Sequence, residues 1–273
     1  MKLDMISRYP TATPKSTPLL FVHGSFSEAH IWDENFLPYF ARHGYEAHAF
    51  SLRGHGLSEG HERLHTWRLA DYVADLVRAA ATMPSPPLLI GHSMGGMIIQ
   101  KYLESHPAVA GVVLMASAPP QGLLPTTLHM ALRHPFLFPQ IWLFSLLGPN
   151  YGTPDLMRRA LFSPNMPFSK LREFFRYVQA ESQMVSLDML GLNPLRLKPE
   201  ALQMPFLVLG AQNDVFIAPA LVEQTARFYH AEVKIFPNMA HAMMLESNWQ
   251  DAADYLLGWL ERALSAQPVA MAA

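Results

Sequence analysis

The sequence predicts an α/β protein in which a mostly parallel central sheet carries helices on both faces. Strand-like and helix-like stretches alternate through most of the 273 residues, the pattern of strands joined by crossover helices. The strands are short, unbroken apolar runs such as Leu19-Leu20-Phe21-Val22 and Phe206-Leu207-Val208-Leu209, as expected where a strand is buried on both faces. Half the residues are apolar and 15% are charged, enough for the sizeable core of one large α/β domain with a modest insertion.

The first core strand is Leu19–Val22, ending at His23-Gly24. Residues 31–43 place Ile31, Phe36, Leu37, Phe40 and Ala41 on one side of a helix. Tyr45 to Leu52 reads as the next strand and runs into Arg53-Gly54-His55-Gly56. Thr66 predicts the N-cap of a helix reaching Met83, which Pro84, Pro86 and Pro87 stop. Leu88-Leu89-Ile90 is a short buried strand that leaves through Gly91 to Gly96, followed by a helix from Met97 to Ser105 and a strand from Gly111 to Ser117. The alternation resumes with Phe206–Leu209, a helix near Ala218 to Tyr229, a strand at Glu232 to Phe236 and a last helix from about Gln250 to Ala263. The tail Ser265 to Ala273 is expected to fray.

Between the two blocks the rhythm stops. Residues 119–205 carry helical patterns and many prolines but no strand, which predicts a helical insertion between two core strands, with the core formed by 1–118 and 206–273. From Pro119 to Asn150 the only formally charged side chain is Arg133. That surface is expected to bury on the core, line an acyl pocket or meet a lipid interface.

Composition excludes several functions. Twenty Lys and Arg against 22 Asp and Glu leave a net charge of −2, unlike the clustered cations of a nucleic-acid binder. With no cysteine there is no disulfide framework, thiolate metal site or cysteine nucleophile. The histidines form no His-x-x-x-His pair beside a helical carboxylate, so no metal is expected. No apolar stretch reaches the roughly 18 residues of a membrane span, and Met1–Pro10 has no apolar segment of the secretory kind. A soluble, cytoplasmic protein is the expectation.

Gly91-His92-Ser93-Met94-Gly95 carries the chemistry. A serine between a buried strand and a helix, with glycine two residues to either side, matches the nucleophile elbow. The reversal is so sharp that the serine backbone is strained and side chains at the flanking positions would collide. A serine hydroxyl then needs a base oriented by a third group, and for this elbow the chain order is serine, acid, histidine. Asp214 follows the strand Phe206–Leu209 and His241 follows the strand Glu232–Phe236. Both therefore fall at the carboxyl edge that carries Ser93, where open α/β sheets bind ligands. Asp188 lies inside the insertion and Glu246 only five residues past His241, so Asp214 is the better acid. The oxyanion of an acyl-transfer intermediate needs backbone N–H donors. The Met94 N–H opens the helix after Ser93, and the Ser25 N–H in His23-Gly24-Ser25-Phe26 supplies the second. His55 belongs to a glycine-rich loop and is expected to be structural.

These motifs together resemble the α/β-hydrolase superfamily, in its capped esterase, lipase and haloperoxidase-like branch. His23-Gly24, Arg53-Gly54-His55-Gly56-Leu57-Ser58, the serine elbow and the Asp214 and His241 loops span nearly the whole chain. The resemblance implies a helical cap over the site, no cofactor, Ser93 as nucleophile, His241 as base, Asp214 as orienting acid, and Ser25 with Met94 as oxyanion donors. The short lead before the first core strand departs from the family and implies a trimmed N-terminal antiparallel hairpin. The expected activity is cleavage of a carboxylic ester with a hydrophobic acyl group. The alternatives are another reaction of the same three residues (perhydrolysis, C–C bond, thioester or amide cleavage, or a lyase reaction) and a small-molecule receptor on the same fold.

Overall fold

The computed structural model describes residues 1–105, 107–192 and 194–265. The expectation for the C-terminal tail beyond Ser265 falls outside these residues. Seven strands form one sheet in the order β1-β3-β2-β4-β5-β6-β7. They are β1 Met5–Arg8, β2 Leu19–Val22, β3 Ala47–Phe50, β4 Leu88–His92, β5 Gly111–Met115, β6 Phe206–Ala211 and β7 Glu232–Phe236. β1 runs antiparallel to β3, and every other pairing is parallel. The N-terminal lead thus contributes one antiparallel edge strand, which its sequence does not announce because only four residues pair.

Alternation along the strands divides the core in two, since successive side chains point to opposite faces. Leu19, Phe21, Leu88, Ile90, Leu207 and Leu209 pack with helices α1 His30–Asp33, α2 Phe36–Arg42 and, at the C-terminus, the helix Trp249–Ser265. Leu20, Val22, Leu89, Val112, Leu114 and Val208 pack on the other face. There they meet α3 Leu69–Ala81, α4 Met94–Tyr102 and the helix Pro219–Tyr229.

Two helix starts differ from expectation. Thr66 closes a 3-10 turn, its hydroxyl donating to the Arg63 carbonyl at 2.8 Å, and α3 begins at Leu69. Its first amides are satisfied by carboxylates: Asp71 accepts from the Arg68 N–H at 2.8 Å, and Asp188 accepts from the Leu69 N–H at 3.0 Å. The helix after the elbow begins at Met94 rather than Met97, because Gly95 and Gly96 let the chain coil at once against β2 and β5.

Among the described residues between β5 and β6 lie five α-helices: α5 Leu124–Arg133, α6 Phe138–Leu147, α7 Pro154–Leu161, α8 Phe168–Phe174 and α9 Gln183–Leu187. Among the described residues of this segment there is no strand. After it come α10 Pro219–Tyr229 and α11 Trp249–Ser265. The α5–α6 pair leaves Leu124, Leu128, Leu132, Phe136 and Trp142 exposed. No helix among the described residues is long and apolar enough to cross a membrane.

Candidate active site

The sheet order places β4 beside β2 on the side away from β3, so the chain leaves β2 in opposite directions at this point. Such a switch point opens a crevice at the carboxyl ends of the strands. The loops after β2 and β4 meet there. Ser93 has φ 53° and ψ −115°, a strained backbone for a residue with a side chain. A Cβ on Gly95 would lie 2.3 Å from the Val22 carbonyl oxygen, and one on Gly91 would lie 2.6 Å from the Gly95 oxygen. Glycine at these positions is a condition of the turn. A Cβ on Gly24 would lie 3.0 Å from the Ser93 Cβ, so the loop after β2 runs directly against the serine.

The acid and the base come together across 27 residues. His241 Nδ1–H donates to Asp214 Oδ2 at 2.8 Å, with both residues buried. The other carboxylate oxygen, Oδ1, accepts the Phe216 and Ile217 amides at 2.8 and 2.9 Å. These bonds turn Asp214 into a fixed acceptor that holds a proton on Nδ1 and leaves Nε2 free to take one. The imidazole lies 4.7 Å, centroid to centroid, from the His92 ring and 4.8 Å from the Phe216 ring. His92, the neighbour of Ser93, also donates from Nε2 to the His241 carbonyl at 2.9 Å, tying the histidine loop to the elbow. Burial, then the adjacent His241, keeps His92 neutral, its pKa well below the ordinary value. Among the described residues no hydrogen bond joins Ser93 Oγ to His241.

The expected oxyanion donors flank the serine. The Met94 N–H opens α4, where the helix leaves its first amides unpaired and its dipole positive. Ser25 Oγ contacts Met94 Sδ at 3.3 Å, which sets the two residues side by side. His23 shapes the loop: its Nε2 accepts the Leu52 amide at 3.0 Å while its Nδ1–H donates to the Gly24 carbonyl at 2.8 Å. Burial, then the neighbouring His55, lowers the His23 pKa to about 3, so the ring stays neutral and can serve both bonds.

Two buried carboxylates have parts that the sequence does not announce. Glu246 accepts from the Ala240 amide at 3.0 Å and the Ser163 hydroxyl at 2.9 Å, fastening the histidine loop to the 119–205 segment. Glu181, from the same segment, lies 3.4 Å from His55 Nε2 and accepts the Tyr72 hydroxyl at 2.8 Å. No local motif marks either part, since Ser163 lies 83 residues from Glu246 and Tyr72 lies 109 from Glu181. Asp188, the competing acid, is spent on Arg68 and the Leu69 amide. Asp4, Glu28 and His30 bring ligand-type atoms within 4.8 Å of one another at a partly exposed surface. Glu28 already meets His30 at 3.1 Å, and Asp4 meets Ser51 at 3.2 Å.

His55 and Glu181 form a buried ion pair. For His55, burial works against the charge, but the Glu181 carboxylate outweighs it and raises the pKa above 6.5. For Glu181, burial is likewise outweighed, chiefly by the His55 charge, and the pKa falls below 4.5. His23, 5.3 Å from the His55 ring, stays neutral, and Tyr72 stays protonated, its pKa raised by burial. A raised histidine stabilises the fold below its ordinary value and loses that contribution as pH climbs through its folded pKa. A depressed glutamate stabilises above its ordinary value and loses that contribution as pH falls through its folded pKa. Thermal melts of wild type and His55→Gln should therefore differ most between pH 4.5 and 6.5, by about 3–5 kcal/mol, and converge on both sides. A gap independent of pH would contradict the charged pair.

The comparisons with known proteins agree with this fold. Residues 19–255 match the family described as Alpha/beta hydrolase family. A pyrethroid hydrolase of Sphingobium wenxiniae is 26% identical over 243 residues, covering 80% of this chain and 79% of its own. The solved esterase from Exiguobacterium antarcticum superposes with a TM-score of 0.75 at 16% identity, covering 95% of each chain. A bromoperoxidase from Bacillus anthracis superposes with a TM-score of 0.74 at 14% identity, also over 95% of each. At such identities the solved structures speak for the fold alone. The strained serine at the switch point, the acid and histidine on the following strand ends and the match over residues 19–255 place the chain in the alpha/beta hydrolase family.

Proposed function

We propose that this protein is a serine hydrolase that cleaves carboxylic esters with a hydrophobic acyl group through an acyl-enzyme. The observation that carries the reading is the 2.8 Å Asp214–His241 bond beside a serine held at φ 53°. Ser93 Oγ adds to the ester carbonyl carbon as His241 Nε2 takes the hydroxyl proton. The Ser25 and Met94 amides hold the oxyanion. The intermediate collapses, the alcohol leaves with the proton from His241, and water then attacks the acyl-Ser93 ester by the same route in reverse.

Residues 119–205 act as the cap in this reading. Leu137, Phe144, Leu156 and Met157 form an apolar cluster against which Phe26 and Val215 pack. Phe26 adjoins Ser25 and Val215 adjoins Asp214, so apolar side chains border both loops, as a hydrophobic acyl group requires. The relative named as a pyrethroid hydrolase supports a hydrolytic reaction. The exposed apolar face of α5 and α6 supports contact with a lipid interface.

A p-nitrophenyl ester series from acetate to palmitate tests the reading. Turnover should be Ser93-dependent and kcat/KM should rise with chain length, by about tenfold for each two buried methylenes while the pocket lasts. No hydrolysis across the series would remove the ester assignment.

A further inference from the structure

Glu181 stands on the stretch that leads from α8 to α9, and its carboxylate is fully engaged. Oε1 accepts the Tyr72 hydroxyl at 2.8 Å and its neighbour's Ser182 amide at 2.7 Å. Oε2 accepts the Phe26 amide at 3.3 Å and faces His55 Nε2 at 3.4 Å. An ionised carboxylate offers about four acceptor positions; three hold hydrogen bonds and the remaining side faces His55. Glu181 therefore joins three parts of the chain to its own segment: the loop after β2, the loop after β3, and α3.

The grip on the loop after β2 is two-sided. Phe26 sits at φ 60°, a conformation unfavourable to a residue with a side chain. Its N–H goes to Glu181, and its carbonyl accepts the Gln179 amide at 2.9 Å. Gln179 in turn accepts the Gly56 amide through Oε1 at 2.9 Å. The residue before Phe26 is Ser25. With both polar groups of Phe26 fixed by residues 179–181, the preceding peptide has little freedom left.

We propose that Glu181 is a positioning residue for hydrolysis: by holding the Phe26 amide it fixes the loop after β2 so that the Ser25 N–H meets the oxyanion formed over Ser93. The inference rests on the serine-hydrolase reading above. It assigns the helical segment a part in assembling the oxyanion site, beyond covering it. Displacing residues 179–181 would release Phe26 from its strained conformation and carry the Ser25 donor away from the serine.

Glu181→Gln is the informative variant. A glutamine whose oxygen keeps the Tyr72 and Ser182 bonds turns its NH₂ towards Phe26 and His55. His55 can accept it at Nε2 with its own proton on Nδ1, which already meets the Arg53 carbonyl at 3.1 Å. The Phe26 amide alone then loses its acceptor. The expected result is a fall in kcat of about 10- to 100-fold, as for a donor misplaced by an ångström or less, with KM within about threefold.

The matching readout is inhibition by an alkyl trifluoromethyl ketone. The Ser93 oxygen adds to its carbonyl carbon, the hydroxyl proton passes to His241, and the ketone oxygen becomes the anion. Its inhibition constant should weaken by the same factor as kcat, while that of the methyl ketone, which binds without addition, stays put. Loss of packing alone would not separate the two ketones. Tyr72→Phe, which removes one hydroxyl from the carboxylate, should lower kcat by about threefold in the same direction, and it keeps the inference testable if Glu181→Gln folds poorly. Wild-type kcat and ketone affinities in folded Glu181→Gln, or in Tyr72→Phe where Glu181→Gln does not fold, would overturn the role of Glu181 and leave the hydrolase reading intact. Hydrolysis that survives Ser93→Ala would overturn both.

Discussion

Ser93→Ala is expected to lower ester turnover by about 10⁴–10⁶-fold while leaving the thermal midpoint nearly unchanged, since no described hydrogen bond of the fold uses the Ser93 hydroxyl. His241→Ala should fall in the same range. The double variant should be no worse than either single one, because nucleophile and base act as a unit. Asp214→Asn is the sharper experiment. Oδ1 is held by the Phe216 and Ile217 amides at 2.8 and 2.9 Å, so the asparagine carbonyl takes that place and its NH₂ faces His241. Nδ1 must then accept, the ring proton moves to Nε2, and the base can no longer take the serine proton. A loss of about 10⁴ in kcat at neutral pH is expected, with substrate affinity retained. Steady-state kinetics on a p-nitrophenyl ester measures all four variants, and a loss of only a few-fold in Asp214→Asn would refute the tautomer argument.

The second large effect is on the fold. An alanine Cβ at position 95 would sit 2.3 Å from the Val22 oxygen and 2.7 Å from the His23 oxygen. Both are backbone atoms of β2 and its exit, and neither can rotate away. Gly95→Ala must therefore push α4 off the sheet, at a cost of about 3 kcal/mol, or roughly 10 °C in the melting temperature for a chain of this size. Gly258→Ala provides the contrast. It lies within α11, where the nearest atom to an added Cβ is Arg262 Nη1 at 3.6 Å, and the same change should stabilise by about 0.5–1 kcal/mol. Equal midpoints for the two variants would contradict the close approach of α4 and β2.

The candidate site was legible because its constraints are local. Gly91, Ser93 and Gly95 answer to one tight turn, and Asp214 and His241 follow the ends of two strands. The central strands β2, β4, β5 and β6 announced themselves in the same way, as apolar runs that the structure buries on both faces. What escaped depends on partners remote in sequence. The Thr66 side chain predicts the start of α3, but the amide that decides the start finds Asp188 across 119 residues. Glu181 looks like any polar residue of a helical segment until Phe26 arrives from 155 residues away and Tyr72 from 109. The edge strand β1 is too short for periodicity to register and exists through its pairing with β3. Composition does single out the apolar stretch from Pro119 to Asn150. Only the coordinates divide it into side chains such as Phe144, which pack inward, and side chains such as Phe136, which face solvent.

The most direct test of the central claim is mass spectrometry after treatment with a fluorophosphonate, which reacts only with a serine whose proton is being withdrawn. A single adduct is predicted on the peptide containing Ser93, absent from Ser93→Ala and formed far more slowly in Asp214→Asn and His241→Ala. Protein that stays unmodified, or that labels elsewhere with Ser93 bare, would mean that the strained serine, the histidine and the aspartate do not work together.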